Sequence, residues 1–130
     1  MPKKVIKTSK APLPIGPYNQ AVVIGKLVYT AGQIAIDPKT NTVHYGTVGE
    51  QTHIIIENLK TILEAAGSSL KKIAKTTVFL KSMDDFGAMN TVYQEYFNDT
   101  KTAPARSTIE VARLPKDVLV EIEAVAEAGK

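Results

Sequence analysis

A chain of 130 residues, 44% hydrophobic and 22% charged, has the size and balance of one globular domain. It can bury roughly two-thirds of its unfolded surface, enough for a core without disulfide or metal. The absence of cysteine excludes disulfide frameworks, thiolate nucleophiles, zinc ribbons and iron–sulfur ligation, and the net charge of +3 is too small to select a partner.

Met1 is followed by no signal-peptide core, and no apolar run approaches the ~20 residues of a membrane span. The expectation is one soluble, cytoplasmic domain over residues 1–130. Residues 3–8 alternate weakly, as a short edge strand. Ala11–Tyr18 contains Pro12, Pro14 and Pro17, which fix φ and remove donors, so this segment reads as an ordered extended loop. Ala21–Ile24 and Leu27–Thr30 are β-rich runs joined by Gly25-Lys26, a hairpin turn, and Asp37–Asn41 is a further turn.

From Val48 to Ala66 the spacing becomes helical, with Ile55, Leu59, Ile62, Leu63 and Ala66 on one face and Gly67 placed to end the helix. Ala74–Lys81 is a strand. Ser82 and Asp85 are spaced like a capping box that opens a second helix to about Phe97. Ala105–Ala112 is a strand after Pro104, Leu114–Asp117 turns the chain, and Val118–Ala126 alternates. The order β-β-β-α-β-α-β-β predicts an α+β fold with a single sheet and both helices on one face. The strands carry apolar groups on both parities, so the second face is expected to be partly covered by another copy, a homo-oligomer.

The last two strands are the informative part. Parity places Arg106, Thr108 and Glu110 on one face of the first, and Glu121, Glu123 and Glu127 on one face of the second. If Leu114–Asp117 closes a tight antiparallel hairpin, Arg106 and Thr108 share a sheet face with Glu121 and Glu123. The plain reading is a cross-strand ion pair. The functional one is a guanidinium fork for a carboxylate beside a general base whose pKa burial raises. His44 and His53 fit no standard metal-ligand spacing. No Gly-x-Ser-x-Gly, phosphate loop or dinucleotide fingerprint is present. The N-terminal lysines and the Lys71, Lys72 and Lys75 group lack the interleaved aromatics of a base-stacking surface.

Ile15-Gly16-Pro17-Tyr18, Thr30-Ala31-Gly32-Gln33, Pro104-Ala105-Arg106-Ser107 and Ala112-Arg113-Leu114-Pro115, followed by Val120-Glu121-Ile122-Glu123-Ala124, resemble the Rid (YjgF) family of enamine/imine deaminases over nearly the whole chain. The resemblance implies a chorismate-mutase-like fold, a homotrimer with ligand clefts between adjacent subunits, and no cofactor or metal. It also implies hydrolysis of 2-iminoacids and enamines, such as 2-aminoacrylate and 2-iminobutyrate, to 2-ketoacids and ammonia. Arg106 would bind the substrate carboxylate and Glu121 would activate water. Gly32, Thr108, Tyr18 and Asn90 would line the cleft. Thr108 stands where many members have cysteine and Ala31 where many have serine. The resemblance also admits a small-carboxylate-binding regulator without turnover, an RNA-cleaving translation inhibitor and a chaperone-like role. Nucleic acid is the less expected partner, since no histidine falls beside Arg106 in the sequence.

Overall fold

Thr47 opens the longer helix. In the computed structural model, which describes residues 2–129, the Thr47 hydroxyl accepts the Glu50 amide and the Glu50 carboxylate accepts the Thr47 amide. This reciprocal capping box satisfies two donors that the helix itself cannot, and Thr-x-x-Glu is its sequence signature. Helix α1 (Val48–Ala65) buries Ile55, Ile56, Leu59, Ile62 and Leu63 along one stripe, as its spacing predicts. It stops at Gly67, whose φ of +77° lets the Ser68 amide turn back onto the Leu63 carbonyl. Helix α2 (Phe86–Tyr96) starts later than the Ser82–Asp85 spacing suggests. Ser82 accepts the Asp84 amide and initiates a 3₁₀ turn at Met83–Asp85, while Asp85 makes no side-chain cap.

Strands β1 (Lys4–Ile6), β2 (Ala21–Ile24), β3 (Leu27–Thr30), β6 (Ile73–Leu80), β7 (Ala105–Glu110) and β8 (Val120–Glu127) form a six-stranded sheet in the order β1-β2-β3-β8-β6-β7. Every pairing is antiparallel except β6 with β7, so the sheet is mixed. Two short strands, β4 (Ile36–Asp37) and β5 (Thr42–Val43), flank the predicted Asp37–Asn41 turn as a separate ribbon. Both helices cover the face made by Val78, Leu80, Val120 and Ile122, which pack with Ile55, Leu59, Met89 and Tyr93. Ala124 and Ala126 continue that face into a second cluster with Ile62, Leu63 and Ile73. The predicted α+β architecture, with two helices on one face of one sheet, therefore holds.

The expected hairpin between the last two strands does not form. β8 lies between β3 and β6, and β7 lies beyond β6 on the sheet's edge. The cause is visible in burial. Val120, Ile122, Ala124 and Ala126 are all at most 2% exposed, so β8 belongs at the centre of the sheet, paired along both edges. β7 follows β6 and α2 as the parallel strand of a β-α-β unit. Its long connection to β8 then crosses the end of β6. That connection contains a 3₁₀ turn at Pro115–Asp117, within the Leu114–Asp117 turn that a tight hairpin would have used.

Candidate functional site

Glu121 points from β8 to the face of the sheet opposite the helices, because its neighbours Val120 and Ile122 point into the core. The Ala31–Gln33 segment leaves β3 and crosses this end of β8. Gln33 exchanges two backbone hydrogen bonds with Ile122, of 2.8 and 3.1 Å. Gly32 is thereby laid against the Glu121 carboxylate, and a Cβ there would overlap Oε2. The proline-rich loop is held above. The Gln20 amide donates to the carbonyls of Pro12 (2.9 Å) and Thr8 (3.0 Å) and accepts the Thr8 amide, while Asn41 accepts the Leu13 amide. Tyr18 folds back within the loop, its hydroxyl accepting the Ile15 amide at 3.2 Å. Tyr18, Gly32, Ile34, Ile36, Pro115 and Glu121 enclose much of a cavity of about 310 Å³. Burial, reinforced by the nearby Glu123 charge, raises the Glu121 pKa above the ordinary carboxylate value.

Arg106 belongs to a different place. It lies opposite Thr76 on β6, whose side chain is buried on the helix side of the sheet. The Arg106 Nη1 donates to Asn90 Oδ1 of α2 at 2.7 Å. Its guanidinium carbon sits 4.6 Å from the ring centre of Tyr93 and 5.5 Å from that of Phe86. Tyr93 is itself fixed by a 2.7 Å hydrogen bond with Thr76 Oγ1. The fork is thus held over aromatic rings and tied by one amide. Thr108, two residues along on the same face, has a buried hydroxyl without a hydrogen-bond partner among the described residues. The Val111 amide donates to the Leu80 carbonyl, so by the alternation of a parallel ladder the Arg106 and Thr108 amides turn to the free edge of β7.

The predicted site residues therefore fall into two groups. Tyr18, Gly32 and Glu121 meet at one cavity; Arg106, Asn90 and Thr108 meet at the β7 edge. The expectation that Arg106 and Thr108 share a face with Glu121 and Glu123 is overturned. With β6 interposed, Arg106 is level with Thr76 and Ala124, whereas Glu121 is level with Phe79 and Ile109, on the other face. Sequence reasoning missed Phe86 and Tyr93, although both stand one helical turn from Asn90. Both histidines lie elsewhere. His44 Nε2 is 2.9 Å from Glu50 Oε1, and His53 Nδ1 is 2.6 Å from the Tyr96 hydroxyl, which donates to Glu57. Among the described residues no three His, Asp or Glu side chains are grouped to hold a metal ion, and no helix is long and apolar enough to cross a membrane.

Comparison with known proteins places these features in context. The family profile described as Endoribonuclease L-PSP matches residues 8–128. A RutC family protein of Pyrococcus abyssi is 56% identical over 126 residues, covering 97% of this chain and 98% of that protein. The 2-iminobutanoate/2-iminopropanoate deaminase of Salmonella typhimurium is 51% identical over 124 residues, covering 95% and 96%. Among solved structures, Escherichia coli TdcF with bound serine superposes with a TM-score of 0.90 at 45% identity, covering 97% and 99% of the two chains.

Proposed function

The chain belongs to the Rid (YjgF) family of Endoribonuclease L-PSP proteins, and from that membership we propose that it hydrolyses small 2-iminoacids and their enamine tautomers to 2-ketoacids and ammonia. The observation that carries this reading is the half-buried Glu121 carboxyl, raised in pKa and set against Gly32 at the wall of a cavity. A general base works best with a pKa near the operating pH, and burial moves Glu121 in that direction.

Arg106 and Glu121 occupy opposite sheet faces of one chain, so a site that uses both is assembled from two copies. We take the assembly to be a homotrimer with a cleft between each adjacent pair. The open sheet face supports this reading: Tyr29 and Ile109 stand on it, 43% and 46% exposed. In the cleft, Arg106 of one copy grips the substrate carboxylate. The cavity of the next copy supplies Glu121, with Tyr18 and Gly32 lining it. The free Thr108 amide is a second donor to the carboxylate.

Glu121 takes a proton from water as the water oxygen adds to the imine carbon, giving a carbinolamine. That first proton passes from Glu121 to nitrogen to complete the carbinolamine. The carbinolamine hydroxyl then gives its proton through Glu121 to the amine as the carbon–nitrogen bond breaks, so that ammonia leaves and the carbonyl of the 2-ketoacid forms. An enamine is first protonated at carbon to give the same imine. Such general acid–base help is worth ~10²–10⁴-fold. The reaction calls on no metal or cofactor.

The test generates 2-iminobutyrate with a threonine dehydratase in the presence of semicarbazide and follows semicarbazone formation. The parent chain should suppress the trapped product, and Arg106→Ala should not. If neither suppresses it, the hydrolytic reading falls. The solved relative with bound serine favours one second reading, a protein that binds small carboxylates through Arg106 without turnover. Binding of 2-oxobutyrate with no effect on trapping would establish that reading instead.

A further inference from the structure

The turn between β7 and β8 holds two adjacent non-glycine residues in the left-handed region, Lys116 at φ 58° and Asp117 at φ 57°. Residues with a Cβ adopt this conformation rarely, and two in succession persist only where their surroundings over-determine them. Most of the restraint is local. Leu114 and Val118 are buried with Ile34 and Ile36, the Asp117 amide donates to the Leu114 carbonyl at 3.0 Å, and Arg113 forks onto the Asp117 carboxylate at 2.7 and 3.1 Å.

One restraint comes from a distant part of the chain. The Tyr45 hydroxyl donates to the Lys116 carbonyl at 2.8 Å, across 71 positions of sequence. Tyr45 is 64% exposed, so burial does not account for a large aromatic side chain at this position. Ile34, Ile36 and Pro115 all line the Glu121 cavity, so the strained turn and the cavity share a wall. We propose that Tyr45 is a positioning residue for the hydrolysis: its hydrogen bond latches the Leu114–Val118 turn and keeps Pro115 in the wall that faces Glu121. This rests on the proposed hydrolytic reading. Tyr45 acts through the turn and touches no reacting atom.

The experiment compares Tyr45→Phe, Lys116→Gly and the double variant, using imine generated in situ and hydrogen exchange at the Asp117 amide. In Tyr45→Phe the strained turn relaxes, and KM rises about three- to tenfold, the equivalent of one ordinary hydrogen bond. Its kcat stays within about twofold of the parent, because the lost packing serves ground state and transition state alike. Lys116→Gly alone keeps the parental KM. The double variant returns to it, because glycine holds positive φ without strain and the latch is no longer needed. A parental KM in Tyr45→Phe overturns the proposal, as does a raised KM that Lys116→Gly fails to rescue. An inactive parent overturns the hydrolytic reading instead. In that case Asp117 exchange still decides the latch: exchange unchanged in Tyr45→Phe overturns it.

Discussion

At the scale of single residues, Glu121 is held where its charge is disfavoured, first by burial and then by Glu123. A folded-state pKa above the unfolded value means that folding becomes less favourable as pH rises between the two. The penalty is absent below the ordinary carboxylate range and complete above the raised value. Glu121→Gln removes it, so the variant should melt higher than the parent at pH 7 and at the same temperature near pH 3, in parallel calorimetric scans. The same variant should lose ~10²–10⁴-fold in imine hydrolysis while still binding 2-oxobutyrate. In the parent, kcat/KM should climb with pH through an acid limb lying above the ordinary carboxylate pKa. A limb at the ordinary value would remove Glu121 from the role of base. Gly32 tests the same carboxyl from the other side. Its replacement by alanine puts a methyl where Oε2 lies, so Glu121 must swing away. Gly32→Ala should keep its circular-dichroism spectrum and cost kcat at least about tenfold, the order expected when a positioned catalytic group is displaced.

Among the elements, the β6–α2–β7 unit positions the Arg106 guanidinium, the proposed carboxylate fork, and here the limits of sequence reading are clearest. Parity along each strand is a local property, and it correctly set Arg106 with Thr108 and Glu121 with Glu123. Which strands are neighbours is not local. Nothing in Leu114–Asp117 distinguishes a tight hairpin from a crossover, and the choice is made by the apolar face of β8 seeking two partners. β4 and β5 went unread because two-residue strands carry no period. The α2 face, by contrast, is written in its spacing: Phe86, Asn90 and Tyr93 line up to receive one guanidinium. Arg106→Lys keeps the charge but discards the fork and the flat stacking surface. It should raise KM for 2-iminobutyrate about tenfold or more, the loss expected when two charge-assisted hydrogen bonds become one. A parental KM in initial-rate measurements would exclude bidentate recognition.

For the whole molecule, the sheet itself separates Arg106 from Glu121, the two residues of the proposed chemistry. Arg106 lies against α2 on the helix-covered side, and Glu121 faces the cavity on the other. A chain acting alone cannot bring them to one substrate without dismantling β6, whose Val78 and Leu80 are completely buried between them. Arg106→Ala retains an intact Glu121 half, and Glu121→Gln retains an intact Arg106 half. Each variant alone should be inactive. Unfolded together in equal amounts and refolded, three-quarters of trimers contain both chains, and one of the three clefts in each of those joins the two intact halves. The mixture should therefore recover about a quarter of parental activity, the statistical yield for a cyclic trimer. Co-expressed chains carrying different affinity tags, purified through both tags, should reach about a third. Recovery requires only that the two residues come from different copies, so it does not depend on how the chemical step divides between them. No recovery from a mixture shown by mass spectrometry to contain mixed trimers would mean that one chain supplies both groups, and the two-copy site would be wrong.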